Sequence, residues 1–179
     1  MAKRELPTPE ELRNLLRYEP ETGKLYWLER PLEMFSDEWL GKSWNTRFAG
    51  REALTADNGH GYPFGTVNYN RLKAHRVIWA MVHGEWPKGE IDHINGQRDD
   101  NRLVNLRCVT RAENARNRAR MKRNTSGRTG VYWQGRCGKW VASINGTYLG
   151  IFERFEDAVA ARERAEIEHG YHPNHDRTR

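Results

Sequence analysis

The chain has 179 residues, 37% hydrophobic and 30% charged, with 30 Lys and Arg against 24 Asp and Glu. That balance fits one medium domain or two small ones with extensive polar surface. It excludes a helical membrane protein: the longest apolar run, Val77 to Val82, is far short of the roughly 20 residues a spanning helix needs.

The N-terminus, MAKRELPTPEELRNLL, has no apolar core of a secretory signal, and Cys108 and Cys137 make neither a disulfide framework nor a CxxC pair. A reduced, cytoplasmic setting is expected, with no membrane partner. Thr8 and Glu11 form a T-x-x-E capping box before a short helix, Glu10 to Leu16, and Glu21-Thr22-Gly23 turns the chain into a strand, Lys24 to Leu28. Arg30 to Gly59 has no clean period and is expected as loops and short strands. Gly61 to Lys73 reads as a hairpin with Asn70 near its turn.

A compact helix is expected from Ala74 to His83, stopped by Gly84, with His75 opening it as a satisfied structural histidine. A short strand ends at Asp92-His93, a loop runs from Asn95 to Asn101, and a second strand occupies Leu103 to Val109. Thr110 and Glu113 form a second capping box. The run RNRARMKRNTSGR, residues 116–128, is acid-free and carries Arg116, Arg118, Arg120, Lys122, Arg123 and Arg128, a stripe suited to phosphates. Beyond it, strands are expected at Gly130 to Gln134, Lys139 to Asn145 and Thr147 to Phe152, with Asn145-Gly146 as a tight turn, then a helix from Glu156 to His169. Val131, Trp133, Trp140, Ala142, Ile144, Leu149 and Phe152 are assigned to the core face of that sheet. Tyr132, Gln134, Arg136, Ser143, Asn145 and Tyr148 are assigned to a polar face able to meet base edges.

Asp92, His93, Asn105 and Asn114 concentrate the chemistry. Phosphodiester hydrolysis needs a base to activate water and a cation to hold developing charge. A histidine beside an aspartate at a strand end supplies both, because alternation turns the two side chains apart. Carboxylate and amide oxygens suit a hard ion such as Mg2+. Asn101 and Asn117 stand as alternatives for the loop and helix asparagines. His60, His83, His169, His172 and His175 belong to no such pattern.

The segment IDHINGQRDDNRLVNLRCVTRAENARN, Ile91 to Asn117, resembles the HNH nucleases: His93 after a strand, Asn105 before Leu106, and Asn114 nine residues later. The version is H-N-N, as in phage- and intron-encoded homing endonucleases. The resemblance implies an α+β fold with a ββα-metal (His-Me finger) domain. In it His93 is the general base, Asp92 and Asn114 hold one divalent ion, Mg2+ or Mn2+, and Asn105 braces the loop and orients His93. No structural zinc is expected, and the substrate is double-stranded DNA.

Asn124 to Gly170 resembles the plant ethylene-response-factor (Apetala-two) DNA-binding domain, through Thr129-Gly130-Val131, Gly138-Lys139-Trp140-Val141-Ala142, Tyr148-Leu149-Gly150 and the helix FEDAVAARERAE. It implies a three-stranded antiparallel sheet packed on one helix. The expected organisation is an N-terminal region 1–73, a nuclease core 74–120, a basic linker 116–128, a DNA-reading domain 129–170 and a tail 171–179, in a monomer. The rival reading is a non-catalytic, sequence-specific DNA-binding regulator.

Overall fold

A computed structural model describes residues 5–57, 59–117 and 119–177. The fold is mixed α/β, with small antiparallel sheets, and divides into two compact units, Met1–Val109 and Thr110–Arg179. No helix among the described residues is long and apolar enough to cross a membrane.

The first unit opens on α1 (Pro9–Leu15). The Thr8 hydroxyl accepts from the Glu11 N–H, and the Glu11 carboxylate accepts from the Thr8 N–H, as the T-x-x-E spacing predicts. The helix stops at Leu16, whose extended backbone begins β1 (Leu16–Glu19). This strand was not expected, because Leu12, Leu15 and Leu16 prolong the helical apolar period into it. β1 pairs with β2 (Lys24–Trp27), which in turn pairs with β3 (Glu52–Ala53).

The stretch from Arg30 to Gly59 corrects the expectation of loops and short strands, since it holds the helix α2 (Glu38–Phe48). Asp37 caps it by accepting from Leu40 N–H at 2.8 Å. Its apolar residues do not line one face, and Trp39 is 74% exposed. An aromatic cluster anchors it instead: the Trp44 ring meets Trp27, Phe35 and Phe48, and the Arg30 guanidinium lies 4.0 Å from the Trp44 centroid. The Trp27 and Phe35 contacts reach outside the helix and its apolar residues share no face, so no local period announces it.

β4 (Phe64–Val67) and β5 (Asn70–Lys73) form the expected hairpin. Its turn is Asn68-Tyr69, both at positive φ, one step earlier than Asn70. The helix α3 (Ala74–His83) follows directly and ends on Gly84 at φ 76°. Val77, Ile78 and Ala80 are fully buried in a core shared with Leu12, Leu15, Leu25 and Val67. Burying each Val or Ile contributes about 1.5–3 kcal/mol. β6 (Glu90–His93) and β7 (Leu106–Val109) close the unit as an antiparallel pair, with a 3-10 turn at Leu103–Asn105 between them.

The second unit begins with the short helix α4 (Arg111–Arg116), capped reciprocally by Thr110 and Glu113. β8 (Val131–Gln134), β9 (Lys139–Ile144) and β10 (Thr147–Phe152) form a sheet of order β10-β9-β8, with Asn145 and Gly146 at positive φ in the connecting turn. α5 (Phe155–Glu168) packs on it: Val131, Ala142 and Ala158 are buried among Trp140, Leu149, Phe152 and Phe155. Trp133 lies edge-on to Trp140 but is 51% exposed, a correction to its place in the core, because it stands on an edge strand. The opposite face is not purely polar either. Val141 pairs with Tyr132 and Ile151 there and is itself buried.

Arg128 also departs from its expected role. It donates to Glu166 at 2.6 Å and lies 3.4 Å from Asp176, inside a buried network with Arg162 and Thr129. A cation so enclosed holds the C-terminal segment to the sheet and helix, and is not available to a phosphate. That segment also ties down the basic run: Arg177 donates to the Asn117 carbonyl, and Arg120 N–H donates to the Arg177 carbonyl. Lys122 and Arg123 remain exposed, while Arg116 and Arg120 are half-buried. Arg118 lies outside the described residues.

Candidate active site

The end of β6 and the loop that follows it set the candidate site. Asp92 and His93 are both buried, at 7% and 3% exposure, and alternation along the strand sends them to different partners. Asp92 faces Arg107, its cross-strand partner on β7, and its Oδ2 accepts from Nε at 2.9 Å and Nη2 at 2.7 Å. His93 meets the loop instead. Its Nε2 lies 3.0 Å from the Asn101 amide oxygen. An amide oxygen only accepts, so this contact keeps the hydrogen on Nε2 and makes Nδ1 the basic nitrogen.

Asn105 bonds within the loop. Its Oδ1 accepts from Asn95 N–H at 2.9 Å, and its Nδ2 donates to the Asp100 carbonyl at 2.8 Å, so it staples the loop across its neck. The contact with His93 comes from Asn101, the alternative loop asparagine, and not from Asn105. Asp100 is pinned in turn by both Arg102 and Asn95, and the Arg102 hydrogen bond draws its carboxyl down to about 2.

Around His93 stand two further rings. His75 packs edge-on at 5.2 Å between centroids, and Tyr62 at 5.8 Å, while Tyr62 and His75 meet at 5.3 Å. Burial lowers the pKa of His93 below its ordinary value and drives that of His75 down to about 3, so both are neutral at pH 7. For His93 this suits a general base, which must be unprotonated to act. His75 is not the satisfied histidine that the sequence suggested: its buried Nδ1 has no hydrogen-bond partner among the described residues.

The loop is also held from outside the expected nuclease core. The Tyr18 hydroxyl accepts from Leu103 N–H at 2.9 Å and donates to the Asn101 carbonyl at 3.3 Å. Gly23, at φ 72°, lies against the same backbone; a Cβ there would stand 2.5 Å from Arg102 N. Tyr18→Phe removes the acceptor for Leu103 N–H, and a stability loss of about 1–3 kcal/mol is expected. The check is a shifted urea midpoint at unchanged slope. Neither Tyr18, Tyr62 nor Arg107 was singled out from sequence. Only Arg107 carried a signal, since it follows Asn105-Leu106 and a tight β6–β7 pairing sets it opposite Asp92.

Among the described residues no cluster of three His, Cys, Asp or Glu side chains is arranged for a metal. The Asp92 carboxylate, at the end of β6, is an oxygen donor of the kind a hard cation such as Mg2+ takes, and Asn114 lies on α4 in the second unit.

Residues 72–116 match the HNH endonuclease family. Over that segment the chain is similar to HNH endonucleases. The match runs from β5 through α4 and so includes His75, Asp92, His93, Asn101, Asn105 and Asn114. Protein 3.8 of Escherichia phage T7 is 35% identical over 77 residues, which are 42% of this chain and 64% of that protein. The chain thus spans less than two thirds of this phage relative. No solved structure matches it.

In the second unit the residues assigned to DNA divide. Tyr132 and Tyr148 are 50% and 61% exposed, and Gln134 and Arg136 are exposed with them. Ser143 is half-buried, and its hydroxyl donates to the Gly130 carbonyl. The Asn145 Oδ1 accepts from the Tyr171 hydroxyl at 2.6 Å. Tyr132 and Gln134 alternate on one face of β8, and Tyr148 stands opposite Ser143 across β9–β10.

Proposed function

We propose that the chain is a metal-dependent, site-specific DNA endonuclease of the homing type, with His93 as its general base. The observation that carries this reading is His93 itself: buried, kept neutral, and held at Nε2 by Asn101 within the HNH domain. Its Nδ1 takes a proton from the attacking water. Asn101 fixes the ring's orientation and tautomer, and Asn105 keeps the loop that bears Asn101 closed. Asp92 and, on the spacing of the motif, Asn114 hold one Mg2+ or Mn2+ ion. That ion, when bound, supplies charge stabilisation at the scissile phosphate and the leaving oxygen. Arg107, paired with Asp92, fixes the carboxylate's orientation.

The sheet of the second unit supplies the address. Tyr132, Gln134, Arg136 and Tyr148 offer donors, acceptors and rings to base edges, with Ser143 and Asn145 as lesser contributors. Arg116, Arg118, Arg120, Lys122 and Arg123 meet phosphates. Encoding by a phage and action in the cytoplasm of its bacterial host follow from the homing reading.

The test is cleavage of supercoiled plasmid. Purified protein is expected to nick or linearise it with Mg2+ and to stop in excess EDTA. Asp92→Ala and Asn114→Ala are each expected to raise the Mg2+ requirement or to abolish cleavage. Full activity in EDTA would overturn the metal assignment.

A further inference from the structure

We propose that Lys73 and Arg98 form a phosphate clamp beside His93, with Tyr62 as its platform. The proposal rests on the nuclease reading and adds where the DNA backbone is gripped at the cutting centre. The Tyr62 ring, in contact with His93 and His75, also receives two cations from separate elements. Lys73 Nζ, at the end of β5, lies 4.7 Å from the ring centroid, and Arg98 Cζ, in the loop after β6, lies 4.8 Å from it.

Both side chains belong to exposed residues, and among the described residues neither enters an ion pair. Their neighbours in the same unit behave differently: Arg102 pairs with Asp100, and Arg107 with Asp92. The distinction matters chemically. A carboxylate partner neutralises a cation and repels a phosphate. An aromatic face orients the cation and leaves its charge undiminished. Arg98 donates one Nη1–H to the His60 carbonyl at 2.8 Å, which fixes the guanidinium further, and the group has other N–H donors to offer.

The adjoining cleft, about 370 Å³ and lined by Asp57, Gly61, Pro63, Gly96, Arg98 and Asp99, carries two carboxylates. Asp57 is occupied in part, its Oδ1 accepting from Gly59 and Gly61 N–H. These carboxylates make the cleft itself unsuited to phosphate, so the clamp is assigned to its rim at Tyr62. Phosphates held there flank the one presented to His93. They position the strand without touching the reacting atoms.

The experiment uses the full chain. Affinity for a duplex is measured across a salt series in a His93→Ala background, and plasmid cleavage is measured with His93 intact. Joint Lys73→Gln and Arg98→Gln substitution is expected to flatten the salt dependence by about 0.9 per residue. It is also expected to raise KM while leaving kcat at saturating DNA unchanged. Lys73→Arg and Arg98→Lys are expected to restore the slope. Tyr62→Ala, which removes the platform and keeps both charges, is expected to raise KM. Lys24→Gln, whose parent lysine is paired with Glu52, is expected to change nothing. An unchanged slope in the double variant would overturn the clamp and leave the nuclease reading intact. An equal loss in Lys24→Gln would overturn it as a mere effect of total charge. Failure of the wild type to cut any DNA would overturn both.

Discussion

Replacing His93 by alanine is expected to lower the cleavage rate about 10²–10⁴-fold, the usual worth of a general base, with affinity for DNA close to that of the wild type. The ring sits at the end of β6, with Nε2 held by Asn101 and Nδ1 as the basic nitrogen. No other imidazole among the described residues takes its place: His75, the nearest ring, is more deeply suppressed in basicity. The measurement is single-turnover plasmid cleavage beside equilibrium binding, with circular dichroism to confirm that the buried substitution is folded. A variant that binds and cuts as the wild type does would remove His93 from the chemistry. The pH profile gives a second check. Because burial lowers the His93 pKa, the acid limb of the rate is expected below 6.5, and the plateau to be reached before neutrality.

Acidification is expected to unfold the first unit well before its carboxylates are all protonated. His75 ordinarily titrates at 6.5 and in the fold only at about 3, because burial penalises its charged form. Between those values the unfolded chain takes up a proton that the folded chain refuses. Stability is therefore fully present above about 6.5 and falls as pH drops through the window, by about 1.4 kcal/mol per pH unit for this residue. His93 acts in the same direction. Denaturant melts from pH 7 to pH 4 should show the slope, and His75→Leu should flatten it whatever its effect on absolute stability. An unaltered slope in that variant would mean that the His75 proton is not what acid adds.

Most of the elements were legible because local chemistry decides them. The capping boxes at Thr8 and Thr110, the Gly84 stop and the Asn145-Gly146 turn are each set by residues within a few positions of one another. α2 was not legible, since aromatic contacts to Trp27 and Phe35, outside the helix, hold it. The site shows the same division. Asp92, His93 and Asn105 were singled out from spacing, which reports where the chain turns. The His93 partner depends on how the loop folds over. Asn101 and Asn105 are both asparagines in that loop, and only the staple from Asn105 to Asn95 and Asp100 shows which of them faces the imidazole. Arg128 was misread for a related reason. Its charge was visible, but Glu166 and Asp176, which enclose it, are 38 and 48 residues away.

The hold of Tyr18 and Gly23 on the loop bears on how portable the segment 72–116 is. Residues 72–116 carry every motif letter, yet the carbonyl of Asn101 and the N–H of Leu103 find their partner on β1, more than 80 residues earlier. A finger transplanted with only its motif segment would keep its reactive groups and lose the strut that keeps them in register. A hybrid protein built from this chain therefore has to inherit α1, β1 and β2 along with that segment. Drift at Tyr18 or Gly23 in a descendant would loosen the loop without changing a single residue of the motif.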